Sequence, residues 1–176
     1  KPLVIGDLKI MEKAEDLLNE DIIINNIRQI KDAKYNFGAI DIYDLNNIDI
    51  KKFEIGKVSK ESGKAAFEYI ECAINLAMEN KIDGTVTAPI NKESIKMAGY
   101  DFAGHTEIYA HFTNTKDYTM LLVEESLRVV HVSTHVSLKK ACELVKKQRV
   151  LSTIKLANKA CKSLGIVNPR IAVAGL

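Results

Sequence analysis

Short apolar runs alternate with stretches of helical period through most of this 176-residue chain. That alternation limits the fold to an α/β class, because each strand needs a helix or a turn to bring the next one beside it. "PLVIG" (2–6) reads as a buried strand and "LKIMEKAEDLLNE" (8–20) as a helix, with Leu8, Met11, Ala14 or Leu17, and Leu18 on one face. Residues 21–57 carry less pattern: "AIDIYDL" alternates like a strand, and "IDIKKFEIGKVS" has no period and reads as loop. "SKESGKAAFEYIECAINLAMEN" (59–80) is the strongest helix. It has a stripe of Ala66, Phe67, Ile70, Ala73, Ile74, Ala77 and Met78, Ser59 or Ser62 as its cap, and Gly63 as a helix-entry residue. "IDGTVTAP" predicts a strand ended by Pro89, and "NKESIKMAG" a short helix stopped at Gly99. In "GHTEIYAHFT" a loop turns into a helix, with Thr106 as cap and Glu107 near the positive end of the dipole.

"YTMLLV" and "LRVVHVS", separated by "EES", predict an antiparallel hairpin. "SLKKACELV" and "RVLSTIKLANKACKSLG" are amphipathic helices, the second closed by Gly165, and "PRIAVAGL" reads as a buried strand. The set predicts an α/β domain with a mixed, mainly parallel sheet and flanking helices. Ligand loops in such sheets follow the carboxyl ends of strands. A chain that stops on a core strand is therefore expected to be a piece of a longer protein.

Composition narrows the function classes. The net charge is +2, with Lys and Arg scattered among Asp and Glu, and aromatics are 6% with no Trp. Neither a basic block nor a stacking platform for nucleic acid is present. No apolar stretch reaches membrane-spanning length, so no membrane partner is expected, and "KPLVIGD" does not resemble a signal peptide. Three cysteines (Cys72, Cys142, Cys161) stand far apart and never in a C-x-x-C pair. They argue for a reducing, cytoplasmic setting and against a zinc ribbon.

All four histidines fall between His105 and His135. His111 reads as a solvated helix residue. His131, Ser133 and His135 would share one strand face. At roughly 3.3 Å rise per residue, His131 and His135 stand too far apart to chelate one ion easily. Either alone can be a ligand, and "STHVSL" puts His135 next to a helix start. His105, between Gly104 and Thr106, can present a ring nitrogen, a hydroxyl and backbone N–H groups to an anion. No G-x-G-x-x-G turn, P-loop, G-x-S-x-G elbow or H-E-x-x-H is present.

"VTAPINKESIKMAGYDFAGHTEIYA", "YTMLLV", "LRVVHVSTHVSL" and "LGIVNPRIAVAGL", four blocks in order, closely resemble the 4-hydroxythreonine-4-phosphate dehydrogenase family of pyridoxal phosphate biosynthesis. The match is firm from about residue 56 onward. The resemblance implies an isocitrate/isopropylmalate dehydrogenase-like fold and a homodimer with a shared active site. It divides the chain into 1–58, part of a first α/β domain, and 59–176, most of a second. It also implies NAD (or NADP) bound without the G-x-G-x-x-G turn, and a divalent metal (Zn, Mg or Co). Carried over by position, His105 and Thr106 contact substrate, His135 is a metal ligand, and Lys92 has a polar role near the site. His131 and His111 inherit no role. The family's "GDPAGIGPE"-like start and its continuation "NPHAGE" after "AGL" are absent, so the chain resembles a family member truncated at both ends.

The implied reaction is NAD-dependent oxidation and decarboxylation of a small phosphorylated hydroxy acid. The first candidate is 4-hydroxy-L-threonine 4-phosphate, giving 3-amino-2-oxopropyl phosphate and CO2. The alternatives are the same chemistry on D-threonate or D-erythronate 4-phosphate, and a non-catalytic fragment that only folds or dimerises. A phosphate acetyl/butyryl transferase shares the broad fold and has no need of a metal at His135.

Overall fold

Three of the apolar runs close into one parallel sheet. The computed structural model describes residues 1–18, 20–134 and 136–175. In it β1 (Val4–Gly6), β2 (Ile23–Ile27) and β3 (Ala39–Asp44) stand in the order β1-β3-β2. β3 is central, with Val4 opposite Ile42 on one side and Ile23 opposite Ala39 on the other. α1 (Leu8–Leu18) connects β1 to β2. Contacts divide the chain into two units, Lys1–Asn114 and Thr115–Leu176. The division expected at 58/59 refers to domains of a longer protein and stands as a proposal.

Aspartates within and just beyond the strands fix the loops of the first unit. Asp7 is buried, and its carboxylate accepts from the backbone N–H groups of Lys9 (3.0 Å), Ile10 (3.4 Å) and Ile48 (3.1 Å). A buried carboxylate is tolerable when its lone pairs are met in this way. Asp44 accepts from Leu8 and Asn46, and Asp41 from Lys34 and Tyr35. The start of α1 and both loops flanking β3 are thus held by side chains of β3 and by Asp7 just past β1.

α2 (Lys60–Met78) is capped by Ser59, whose side chain accepts from the Ser62 N–H. Phe67, Ile70 and Ile74 are buried as their spacing predicts. Met78 is exposed, and Leu17 and Leu18 at the end of α1 are exposed too. The helix also buries Gly63, which is more than an entry residue: a Cβ there would lie 1.9 Å from the Ser94 carbonyl oxygen. Ser94 belongs to α3 (Lys92–Met97), which is capped by Asn91 and stopped at Gly99, where φ is +95°. The Ser94 hydroxyl in turn accepts from the Ser59 N–H at 3.2 Å.

Two expected strands are not formed among the described residues. Residues 82–89 and 171–175 carry no ladder; Val86 is fully exposed and Val173 is 61% exposed. An apolar run becomes a strand only when another strand takes up its N–H and C=O groups. β2 is the opposite case. "IINNI" has two residues poor in strand propensity, yet it forms because β3 pairs with all of it.

In the second unit, β4 (Leu121–Glu124) and β5 (Leu127–Val130) form the expected antiparallel hairpin. It is a separate two-stranded sheet, so parallel and antiparallel pairs are not mixed in one sheet. Glu125 turns it with φ +43°. α5 (Leu138–Leu144) is capped by Ser137, and α6 (Lys147–Ser163) stops before Gly165 at φ +85°. Arg149 of α6 donates from Nε to the Val132 carbonyl (2.9 Å) and from a terminal nitrogen to the Tyr118 carbonyl (3.4 Å). It joins the chain entering β4 to the chain leaving β5. Arg149→Met keeps the stem and removes the donors. It is expected to cost this unit about 2 kcal/mol and to speed amide exchange from 119 to 134. Unchanged exchange would show that the hairpin holds its ends without the arginine.

Candidate functional site

The site is built outward from Phe67. Its ring stacks on Tyr100 (centroids 3.7 Å apart, 8° between planes) and lies 5.7 Å from Phe102. Those contacts pin the loop after α3 and so fix where the chain enters α4 (His105–Phe112). Ile108, wholly buried, anchors α4 into the cluster of Phe67, Ile70 and Ile74. The Tyr109 hydroxyl meets the Thr85 hydroxyl at 2.6 Å.

This docking decides how His105 is presented. It precedes Ile108 by three residues, so its ring lies over the same inward side of the helix. Its Nε2 is buried and has no hydrogen-bond partner among the described residues. Burial holds the ring's pKa below the ordinary imidazole value, so the neutral form is favoured at neutral pH. Such a nitrogen is a hydrogen-bonding group awaiting a partner. Thr106, half-buried, is the second residue of α4. It is not the cap as expected: Gly104 holds that position and supplies no side-chain hydrogen bond.

Lys92, the first residue of α3, is brought to the same place. A Cβ built on Gly104 would lie 3.8 Å from Lys92 Cε and 3.7 Å from a Glu107 carboxylate oxygen. The bare glycine is thus flanked by the Lys92 stem and the Glu107 carboxylate, beside His105. That arrangement is not legible in the sequence. Gly104 and Glu107 are near neighbours in the chain, but Lys92 reaches them only through the docking of α3 on α2.

His111 and His131 each have surroundings of their own. His111 is exposed and meets the rings of Phe102 and Phe112 edge-on, at 5.4 and 5.2 Å between centroids. His131 lies just past the end of β5, so the shared strand face expected for His131 and Ser133 does not extend that far. The His131 carbonyl accepts from the Thr119 hydroxyl at 3.0 Å, and its Nδ1 is buried without a partner among the described residues. His135 lies outside the described residues. Among the described residues no group of three His, Cys, Asp or Glu is placed to hold a metal ion. No described helix is long and apolar enough to cross a membrane.

Known proteins resemble this chain along nearly its whole length. A provisionally named D-threonate 4-phosphate dehydrogenase of Clostridium botulinum is 43% identical over 175 residues, 99% of this chain and 52% of that protein. One of the same name from Fusobacterium nucleatum is 42% identical over 174 residues, again 99% of this chain and 52% of the relative. Among solved structures, a 4-hydroxythreonine-4-phosphate dehydrogenase from Klebsiella pneumoniae superposes with a TM-score of 0.92 at 32% identity, over 99% of this chain and 53% of that one. Its counterpart from Burkholderia phymatum gives 0.84 at 38% identity, over 96% and 51%. The chain thus spans about half the length of the curated relatives it matches. The family model described as "Pyridoxal phosphate biosynthetic protein PdxA" matches residues 1–176, and the chain belongs to that family.

Proposed function

We propose that this chain is part of a dehydrogenase that oxidises a four-carbon 3-hydroxy acid 4-phosphate. The secondary alcohol would lose a hydride to NAD or NADP and its proton to a base or solvent. The resulting ketone, beta to the carboxylate, would release CO2. The observation that carries the reading is the convergence of His105, Thr106 and Lys92 around Gly104, in a chain of this family. His105, neutral and with its Nε2 unpartnered, would hydrogen-bond an oxygen of the substrate, and Thr106 would add a hydroxyl beside it. Held in place before substrate arrives, these groups would lose little freedom on binding.

D-threonate 4-phosphate is the substrate proposed first. The relatives bearing that name are 43% and 42% identical, against 32% and 38% for the two structures named for 4-hydroxythreonine 4-phosphate. The amino substrate is the second reading, and D-erythronate 4-phosphate a third. NAD or NADP, the homodimer and the isocitrate/isopropylmalate dehydrogenase-like fold belong to the proposal through the family resemblance. So does a divalent ion of Zn, Mg or Co, for which His135 is this chain's ligand; the described residues do not by themselves form its site.

The test is NADH formation by a protein carrying this chain at the full length of its relatives, with metal added and the three substrates run in parallel. Turnover of D-threonate 4-phosphate well ahead of the others is expected. A site that hydrogen-bonds a C2 hydroxyl specifically can reject an amine strongly. Turnover of the amino substrate alone would exchange the first two readings. No turnover of any, with metal bound, would end the dehydrogenase proposal.

A further inference from the structure

β2 stands at one side of its sheet and pairs only with β3 among the described residues. The register fixes which of its backbone groups are left over. The Ile23 N–H donates to the Gly38 carbonyl at 3.0 Å, so Ile23, Asn25 and Ile27 turn their backbone groups toward β3. In a parallel ladder the residues between them face the other way. The N–H groups of Ile24, Asn26 and Arg28 therefore point off the open edge of the sheet. Such edges are commonly guarded by a nearby charge, and that is the ordinary reading of Arg28. Here the edge also opens on a hollow of about 470 Å³, lined by β2 from Ile24 to Arg28 together with Asp32 and Lys34. Lys34 is held at that hollow by the Asp41 carboxylate, which accepts from the backbone N–H groups of Lys34 (3.0 Å) and Tyr35 (2.7 Å). Arg28, Lys31 and Lys34 make no ion pair among the described residues, and Asp32 is the one acid in the stretch 28–34. Glu20 and Asp21 precede the other end of β2. A row of free donors, a hollow beside it and unpaired cations at one end are the parts of a strand-addition site for a negatively charged chain.

We propose that the open edge of β2 takes up an extended acidic segment of a partner protein as an added strand, with its carboxylates at the Arg28 and Lys34 end. Main-chain hydrogen bonds to Ile24, Asn26 and Arg28 give the attachment, and the cations give the choice of partner. Glu20 and Asp21 repel the acidic end from the opposite end of β2 and so set its direction. The inference is independent of the dehydrogenase reading, since it uses none of His105, Thr106 and Lys92.

The experiment is amide hydrogen exchange by NMR on the 176-residue chain. The probe is a capped hexapeptide, Thr-Val-Thr-Val-Glu-Glu, and its counterpart is Thr-Val-Thr-Val-Lys-Lys. With the acidic peptide at about ten times its Kd, exchange at Ile24, Asn26 and Arg28 is expected to slow about 10-fold. Asn25 and Ile27 should be unchanged, because β3 already holds them. The basic peptide should bind about 10-fold more weakly or worse. Asn26→Pro removes the central outward N–H and no bond to β3. It should abolish binding while Asn25 and Ile27 stay protected. Arg28→Glu with Lys34→Glu leaves the backbone alone and should reverse the preference, so that the basic peptide binds. Lys155→Glu with Lys159→Glu, on α6, makes the same change in net charge and should leave the preference as it is. Binding that spares the three amides, equal affinity for the two peptides, or no binding at all would overturn the proposal. So would protection of the three amides without peptide in a protein carrying this chain at the full length of its relatives, because the edge would then belong to that protein's own chain.

Discussion

Gly63→Ala is expected to destabilise the first unit by about 3 kcal/mol, and Gly63→Val to prevent it from folding. In an ordinary helix interior the alanine change would gain up to about 1 kcal/mol, because glycine is the poorer helix former. Here a different term decides the sign. The new methyl would lie 1.9 Å from the Ser94 carbonyl oxygen and 2.6 Å from the Ile95 nitrogen. Both are backbone atoms and cannot rotate away, so α3 itself must move. The shift would break the Ser59 N–H to Ser94 hydroxyl bond and carry Lys92 away from Gly104. Urea unfolding measures the first effect. Gly84→Ala is the control, since a Cβ there meets nothing within 4 Å. If Gly63→Ala matched Gly84→Ala within about 0.5 kcal/mol, the close approach of the two helices would be wrong.

Gly63 also shows where sequence reading stops. Its helical setting was legible, but its purpose was not, because the atom it makes room for is distant in sequence. Local signals are legible in the sequence: a serine cap at Ser59 or Ser62, which the structure gives to Ser59, the Phe67–Ile70–Ile74 stripe, the glycine stops at 99 and 165, and the hairpin. Non-local ones are not. β2 has weak propensity and exists through β3, whereas residues 82–89 and 171–175 have strand-like composition and no ladder. The candidate site divides the same way. Gly104, His105 and Thr106 are adjacent, so a polar group at a helix start was visible. The cap fell to Gly104 rather than Thr106, because the aromatic anchors Tyr100 and Phe102 set where the helix begins. The burial of one His105 nitrogen follows from the docking of Ile108, which no spacing rule contains.

His135→Ala, in a protein carrying this chain at the full length of its relatives, is expected to lower both bound divalent metal and turnover by about 100-fold or more. His131→Ala should leave both within a few-fold. The two residues differ in what the change removes. His135 inherits a ligand position from the family block "HVSTHVSL", and the loss of one ligand from a small set opens the metal site to water. At His131 the bond that orders the chain is made by its carbonyl, which accepts from Thr119 and survives the substitution. The buried Nδ1 of His131 has no partner to lose among the described residues. Removing the ring then costs packing, about 1–3 kcal/mol of stability, without touching a ligand. His105→Ala should show a third pattern, a raised KM with metal content unchanged, because its nitrogen is proposed to meet substrate. Metal analysis, unfolding midpoints and kinetics on the three variants separate these outcomes. Equal loss of metal in His131→Ala and His135→Ala, with both proteins folded, would place the ligand on the wrong histidine. Loss of metal in His105→Ala would move that residue from the substrate to the ion.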